Sequence, residues 1–263
     1  MLVEPLNYCH DTDSLVHLLD ARIKFIGTLA FVLAVTATPN GEWGAFAVLF
    51  GIFLGLTLLA RIGPVAILRR SVIALPFLLI VLVSIPFTQG GKALFSVSIL
   101  RWTLPITSEG IEMFISVALK SWLSVLIVGL LLYTTPFTEL VRGMQHLGLP
   151  AVLINIVSSM YRYLFVLLDE AERLERARAS RSADPGGKGG GALIWQAKVL
   201  GGMIGSLFMR SYERSERIYQ AMLSRNFAGE IRSLQESALG RKDLLLMTVF
   251  LSLLFVVEIW ANL

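Results

Sequence analysis

Residues 112–133 read EMFISVALKSWLSVLIVGLLLY, with one acid, Glu112, at the start and one lysine, Lys120, near the middle. A helix of roughly 17 to 25 mostly apolar residues crosses the ~30 Å of bilayer hydrocarbon. Backbone groups in lipid must be satisfied within the segment, so an isolated open strand cannot span. This stretch therefore predicts a spanning helix, and 23–38, 43–60, 71–87 and 244–261 have the same character. Composition agrees: a chain of 263 residues that is 55% hydrophobic and 16% charged, with mean hydropathy +0.70, has too much apolar surface for an ordinary soluble domain. The expected fold is an all-α integral membrane protein with about five transmembrane helices and further long amphipathic helices between the last two. The single cysteine, Cys9, leaves neither an internal disulfide nor a Cys-based metal site. Asp11, Asp13 and Asp20 precede the first apolar stretch where a secretory signal would carry basic residues, so that stretch reads as a retained span.

Lysine and arginine alternate across the spans as the positive-inside rule requires. Arg22 and Lys24 precede the first span, 39–42 has none, and Arg61, Arg69 and Arg70 follow the second. Lys92 and Arg101 lie in the next loop, whereas 134–242 holds fifteen of the chain's 23. The pattern places the N-terminus and the section 134–242 in the cytoplasm and the C-terminus outside. Three regions follow: 1–133 with four spans, 134–242 with cytoplasmic helices, and 243–263 with the last span.

Inside the spans, Lys120 is costly in lipid, which makes it a functional candidate; the plainer reading is that it snorkels or pairs with Glu112 or Glu258. Gly51 with Gly55, and Gly201 with Gly205, have the spacing that lets helices approach closely. Pro76 is expected to kink the third span.

Three helical pieces are predicted in 134–242, separated by Pro150 and by the loop Asp184-Pro185-Gly186-Gly187-Lys188-Gly189-Gly190-Gly191. The first, 136–147, takes Thr135 as N-cap and carries Leu140, Val141, Met144 and Leu147 at helical spacing. It should lie on the membrane or beneath the bundle. The second, 151–182, is apolar to Leu168 and charged beyond it; the third, 192–226, changes after Met209. Side by side, two such helices would present their charged ends together at the cytoplasmic face.

The charged ends repeat with a shift of 44 residues. Glu172, Arg173, Leu174, Ala177, Ser180 and Arg181 align with Glu216, Arg217, Ile218, Ala221, Ser224 and Arg225. Amphipathic helices with Glu-Arg patterning resemble one another in any case, so the arginines are best sorted by partners three or four residues away. Arg173 has Asp169 and Glu170, Arg176 has Glu172, Arg178 has Glu175 and Arg217 has Glu213. Arg225 has no acid in reach, and Arg181 has only Asp184, next to Pro185 where the helix should have ended. These two are available to another molecule. A guanidinium at a helix C-terminus meets the negative end of the dipole and offers a fork that fits a carboxylate. Two helices ending in Ser180-Arg181-Ser182 and Ser224-Arg225-Asn226 suit insertion into two equivalent grooves of a dimeric partner.

These residues resemble a known family, the transmembrane (T) components of energy-coupling-factor (ECF) transporters, and among them the cobalt-uptake branch, CbiQ. Leu19-Asp20-Ala21-Arg22-Ile23-Lys24-Phe25 is similar to the family's Asp-Pro-Arg-x-Lys segment with Ala21 for proline. Tyr161-Arg162-Tyr163-Leu164-Phe165-Val166-Leu167-Leu168-Asp169-Glu170 is similar to the cobalt branch, and Phe227, Ala228 and Gly229 also suit the family. Family members carry Ala-Arg-Gly signatures on cytoplasmic coupling helices. Ser180-Arg181-Ser182 and Ser224-Arg225-Asn226 keep the arginine and depart on either side, so a role for glycine in turning the chain does not carry over. The resemblance implies two ATP-binding-cassette (ABC) ATPase subunits and a substrate-binding membrane subunit as partners, in the cell (inner) membrane of a bacterium or archaeon. It implies cobalt or nickel as cargo; no nucleic-acid partner is expected, nor any cofactor of the chain's own.

The chain should not itself hydrolyse ATP. No phosphate-binding loop of the Gly-x-x-x-x-Gly-Lys-Ser/Thr kind occurs, since Gly186-Gly187-Lys188-Gly189 lacks the first glycine and the hydroxyl. His10, His17 and His146 are too scattered for a metal cage. Two rivals remain: a T component for a vitamin, and a membrane enzyme acting on a phosphorylated lipid or nucleotide. The enzyme would need a carboxylate cluster for magnesium or acid–base work, and the acids here are spaced to pair with arginines.

Overall fold

The computed structural model describes Ser14, Val16 and residues 19–82, 93–99, 102–181, 193–227, 229 and 240–262. Cys9, His10, His17, Lys92, Arg101, Ser182, Ala228, the end of the third expected span (83–87) and the glycine-rich loop 184–191 lie outside them. The helices are α1 (Ala21–Ala37), α2 (Trp43–Leu59), α3 (Pro64–Ser71), α4 (Leu75–Leu82), α5 (Ser108–Thr134), α6 (Phe137–His146), α7 (Ala151–Arg181), α8 (Leu193–Leu223) and α9 (Arg241–Asn262). Three of them hold stretches long and apolar enough to cross a membrane, Gly110–Thr134, Ala151–Arg181 and Asp243–Ala261; Trp43–Leu59 is a shorter apolar helix. The protein is thus a helical membrane protein, as its composition predicts.

One compact unit comprises residues 7–146 and 237–263, and another holds 147–236. In the first, α1 packs against α5, α6 and α9. Phe31 and Val35 of α1, Phe53 of α2 and Leu126 of α5 are fully buried there. Apolar side chains on the outer faces, such as Leu33, Leu58 and Phe255, stay exposed, as lipid-facing residues should.

The third expected span differs in form. Its helix starts at Pro64, ahead of the expected Ser71, and a 3₁₀ turn at Val72–Ala74 divides α3 from α4. Pro76 has no N–H to give the carbonyl of Val72 and its ring crowds that carbonyl, so the break falls one turn before the proline. Farther along, two short strands, β1 (Ala93–Ile99) and β2 (Trp102–Thr107), pair antiparallel with Ile99 opposite Trp102. Their β-branched and aromatic residues favour that pairing, which the hydropathy reading passed over.

Gly51, Gly55, Gly201 and Gly205 have open space beside them among the described residues, so the paired spacing marks no helix contact there. Close packing falls on Gly44, where an added Cβ would stand 2.8 Å from the Trp260 ring. Gly41 is the more demanding position. It adopts φ +92°, donates its N–H to Ser116 Oγ at 3.2 Å and lies under the Glu112 carboxylate. Gly41→Ala is expected to cost about 1–2 kcal/mol from backbone strain alone, and more from displacing Glu112. A lowered melting temperature in detergent checks it.

Lys120 takes neither of the partners first considered as a close ion pair. Its Nζ donates to the carbonyl of Thr36, in the last turn of α1, at 3.4 Å, with Glu258 near enough to act on it electrostatically. Glu112 is committed over Gly41.

The expected N-cap of α6 shifts by one residue. The Thr135 N–H still bonds Leu131 O at the end of α5, and its buried hydroxyl has no partner among the described residues. The Pro136 carbonyl accepts from Glu139 and Leu140, so Pro136 is the first cap and the two helices join through only two residues.

Candidate functional site

The second unit is built on α7 and α8, each of 31 residues. Pro150 starts α7, its carbonyl accepting from Leu153 and Ile154. Arg181 is the last residue of α7 and Arg225 lies just past α8; both are exposed, and neither forms an ion pair among the described residues. Ser180 Oγ donates back to the Arg176 carbonyl and Ser224 Oγ to that of Ala221, so both serines are occupied by their own helices. Ser182 is beyond the described residues.

The second signature is a helix terminator. Asn226 takes a left-handed conformation with φ +61°, its N–H bonding Leu223 O at 3.0 Å, while the Phe227 N–H reaches Met222 O at 3.1 Å. That is a Schellman turn, with Asn226 where glycine is usual and Arg225 at the cap. Asparagine is the residue besides glycine that tolerates this conformation. Asn226→Gly is expected to be neutral or stabilising by up to about 1 kcal/mol, and Asn226→Val destabilising by about 1–2 kcal/mol. Melting temperatures of the two variants give the comparison.

The two helices run antiparallel, which corrects the expectation that their charged ends lie together. Asn155 near the start of α7 donates to Gly229 O, beyond the end of α8, at 2.8 Å. Midway, Glu170 and Arg210 form an ion pair between the helices. Arg225 is thus at the Asn155 end of the pair and Arg181 at the other. The helix from Asn155 to Arg181 is about 40 Å long at 1.5 Å per residue, which sets the scale of the separation.

Ion pairing along the helices is sparser than the spacing predicts. Arg173–Asp169 forms at 3.2 Å, but Arg176–Glu172, Arg178–Glu175 and Arg217–Glu213 do not close among the described residues. Exposed i,i+4 pairs are worth only about 0.3–0.5 kcal/mol and hydration competes with them. Sequence reasoning missed Glu170–Arg210 because its members are 40 residues apart. Both stand where their helices turn from apolar to charged, a register that was visible.

Between the helices lies an apolar groove of about 790 Å³, lined by Val152, Ile156, Met160, Phe208, Tyr219 and Met222 among others. The charged half of α8 is therefore amphipathic: Phe208, Tyr212, Ser215, Ile218, Tyr219 and Met222 form one face at helical spacing.

Apolar helices of spanning length, together with a pair of long helices that end at exposed arginines, define a helical integral membrane protein. Residues 12–236 match the family CbiQ, described as cobalt transport protein. Among relatives, the energy-coupling factor transporter transmembrane protein EcfT of Acidaminococcus fermentans is 28% identical over 92% of this chain and 90% of its own length. The protein of that name from Thermanaerovibrio acidaminovorans is 29% identical over 83% and 81%. An uncharacterized protein of Methanocaldococcus jannaschii is 28% identical over 90% and 80%. The chain belongs to the EcfT/CbiQ family, the transmembrane T components of energy-coupling-factor transporters.

Proposed function

We propose that this T component transmits ATP-driven movement from two ABC ATPase subunits to a substrate-binding membrane subunit, with Co²⁺, or Ni²⁺, as cargo. One observation carries the coupling reading: two exposed arginines without ion-pair partners among the described residues, at opposite ends of one antiparallel helix pair. That spacing fits one arginine, with its neighbours Ser180 and Ser182 or Ser224 and Asn226, in each of two ATPase grooves. When ATP closes the ATPases, the grooves move together and the helix pair changes its crossing. The movement passes along the chain from α7 through 147–150 to α6 and the spanning helices. The subunit hydrolyses nothing itself. The basic excess supports a cytoplasmic N-terminus and a cytoplasmic section 134–242, with five crossings.

The family description supports Co²⁺ as cargo. Proteoliposomes holding the assembled complex should accumulate Co²⁺ only with ATP. A complex that ignores Co²⁺ and Ni²⁺ but takes up a vitamin would move the cargo to the other branch and leave the coupling unchanged.

A further inference from the structure

The segment that resembles Asp-Pro-Arg-x-Lys has no part in the coupling scheme so far, yet its atoms meet at one place. Asp20 Oδ1 accepts the Arg22 N–H at 3.0 Å and starts α1, with the Arg22 guanidinium 3.7 Å away. The buried Lys24 reaches across and donates its Nζ to Thr134 O at 3.1 Å, the last carbonyl of α5. Helix C-terminal carbonyls lack partners within the helix, and an ammonium there also meets the negative end of the dipole. At the C-terminal end of α1, Lys120, midway along α5, donates likewise to the Thr36 carbonyl. The antiparallel helices α1 and α5 thus cap each other through one lysine apiece.

The elbow from α5 into α6 follows directly on the carbonyl that Lys24 holds. Helix α6 then returns to the same place. Val141 and Gly143 are its buried residues, and a Cβ on Gly143 would stand 3.2 Å from the Arg22 backbone nitrogen and 3.5 Å from Ala21 Cβ. A Cβ at this position would be a tight contact that the start of α1 could take only by giving a few tenths of an ångström, so glycine eases the close approach of α6. The elbow is therefore held on two sides, by Lys24 at its base and by the Gly143 contact on its outgoing helix.

We propose that the segment 20–24 is a latch that fixes the angle at which α6 leaves α5, which makes Lys24 a positioning residue for coupling. Lys24 fixes the base of the elbow, and the glycine lets α1 back the helix that leads toward the arginine-tipped pair. Its part in transport rests on the coupling reading above; the latch itself does not.

The test uses the full chain with Cys9→Ser and the pair Ala21→Cys/Gly143→Cys, whose Cβ separation suits a disulfide. The disulfide should form readily, at the same rate with and without ATP in the assembled complex. Adding Lys24→Met should slow it at least fivefold, and adding Lys24→Arg less than twofold, because arginine keeps a cation on the carbonyl. In proteoliposomes with Co²⁺ as probe, Lys24→Met should lower uptake per ATP at least fivefold with ATPase binding intact, and the formed disulfide should restore most of it. A purely structural lysine would lower the yield of folded complex and leave uptake per ATP unchanged, which overturns the proposal. So would a disulfide that fails to form, that forms equally fast with Lys24→Met, or that blocks transport. If the wild type carries no Co²⁺, the cargo reading fails while the cross-linking rates still decide the latch; if the ATPases bind without Arg181 and Arg225, the coupling reading fails instead.

Discussion

Arg181→Ala with Arg225→Ala is expected to abolish ATP-driven uptake and to weaken binding of the ATPase subunits by at least 100-fold, with the melting temperature of the isolated subunit almost unchanged. Both side chains are exposed and free of ion pairs among the described residues, so truncation removes little from the fold. An arginine at the centre of an interface commonly contributes about 2 kcal/mol or more, and two such losses exceed a factor of 100. Lysine at either position should recover only part, because a point charge cannot replace a planar fork on a carboxylate. Titrating ATPase subunits against immobilised protein measures the loss. A melting temperature that fell with binding would instead place the arginines in the fold.

The second large effect is expected at the crossing of α7 and α8. Glu170→Arg sets two guanidinium groups against each other where Glu170 now holds Arg210. Since the pair is partly exposed, stability should drop by less than about 1 kcal/mol. Transport depends on more than stability. If movement at one arginine reaches the other through this crossing, uptake per ATP should fall at least fivefold while both ATPases stay bound. The swapped pair, Glu170→Arg with Arg210→Glu, should return more than half of it. Equal uptake in the single variant, or no recovery in the swap, would show that the crossing carries no force.

Much of this arrangement was legible in the residues. Hydropathy placed α2, α5 and α9, and Pro150 with the glycine-rich stretch from Asp184 bounded α7 to within a residue of its observed end. The 44-residue repeat found both arginine ends because a repeat reports residue types. It carries no direction, however, so the antiparallel course of α7 and α8 escaped. The available sign was that about eleven residues of sequence separate two 31-residue helices, since short connections favour antiparallel neighbours. Lys24, Lys120 and Glu170 could not have been assigned from local spacing. Their partners, Thr134, Thr36 and Arg210, are 110, 84 and 40 residues away, and two of the three are backbone carbonyls that every residue possesses. Glycine spacing misled at Gly51 and Gly201 because close approach depends on what stands opposite, as Trp260 does at Gly44.

The central claim is that each arginine end holds its own ATPase subunit. Counting the ATPase subunits that co-purify with this chain without nucleotide, when the two ATPases do not clasp each other, tests it most directly. The account predicts two for the wild type, one for Arg181→Ala, one for Arg225→Ala and none for the double variant. Two subunits retained by the double variant, or both lost on either single substitution, would contradict it.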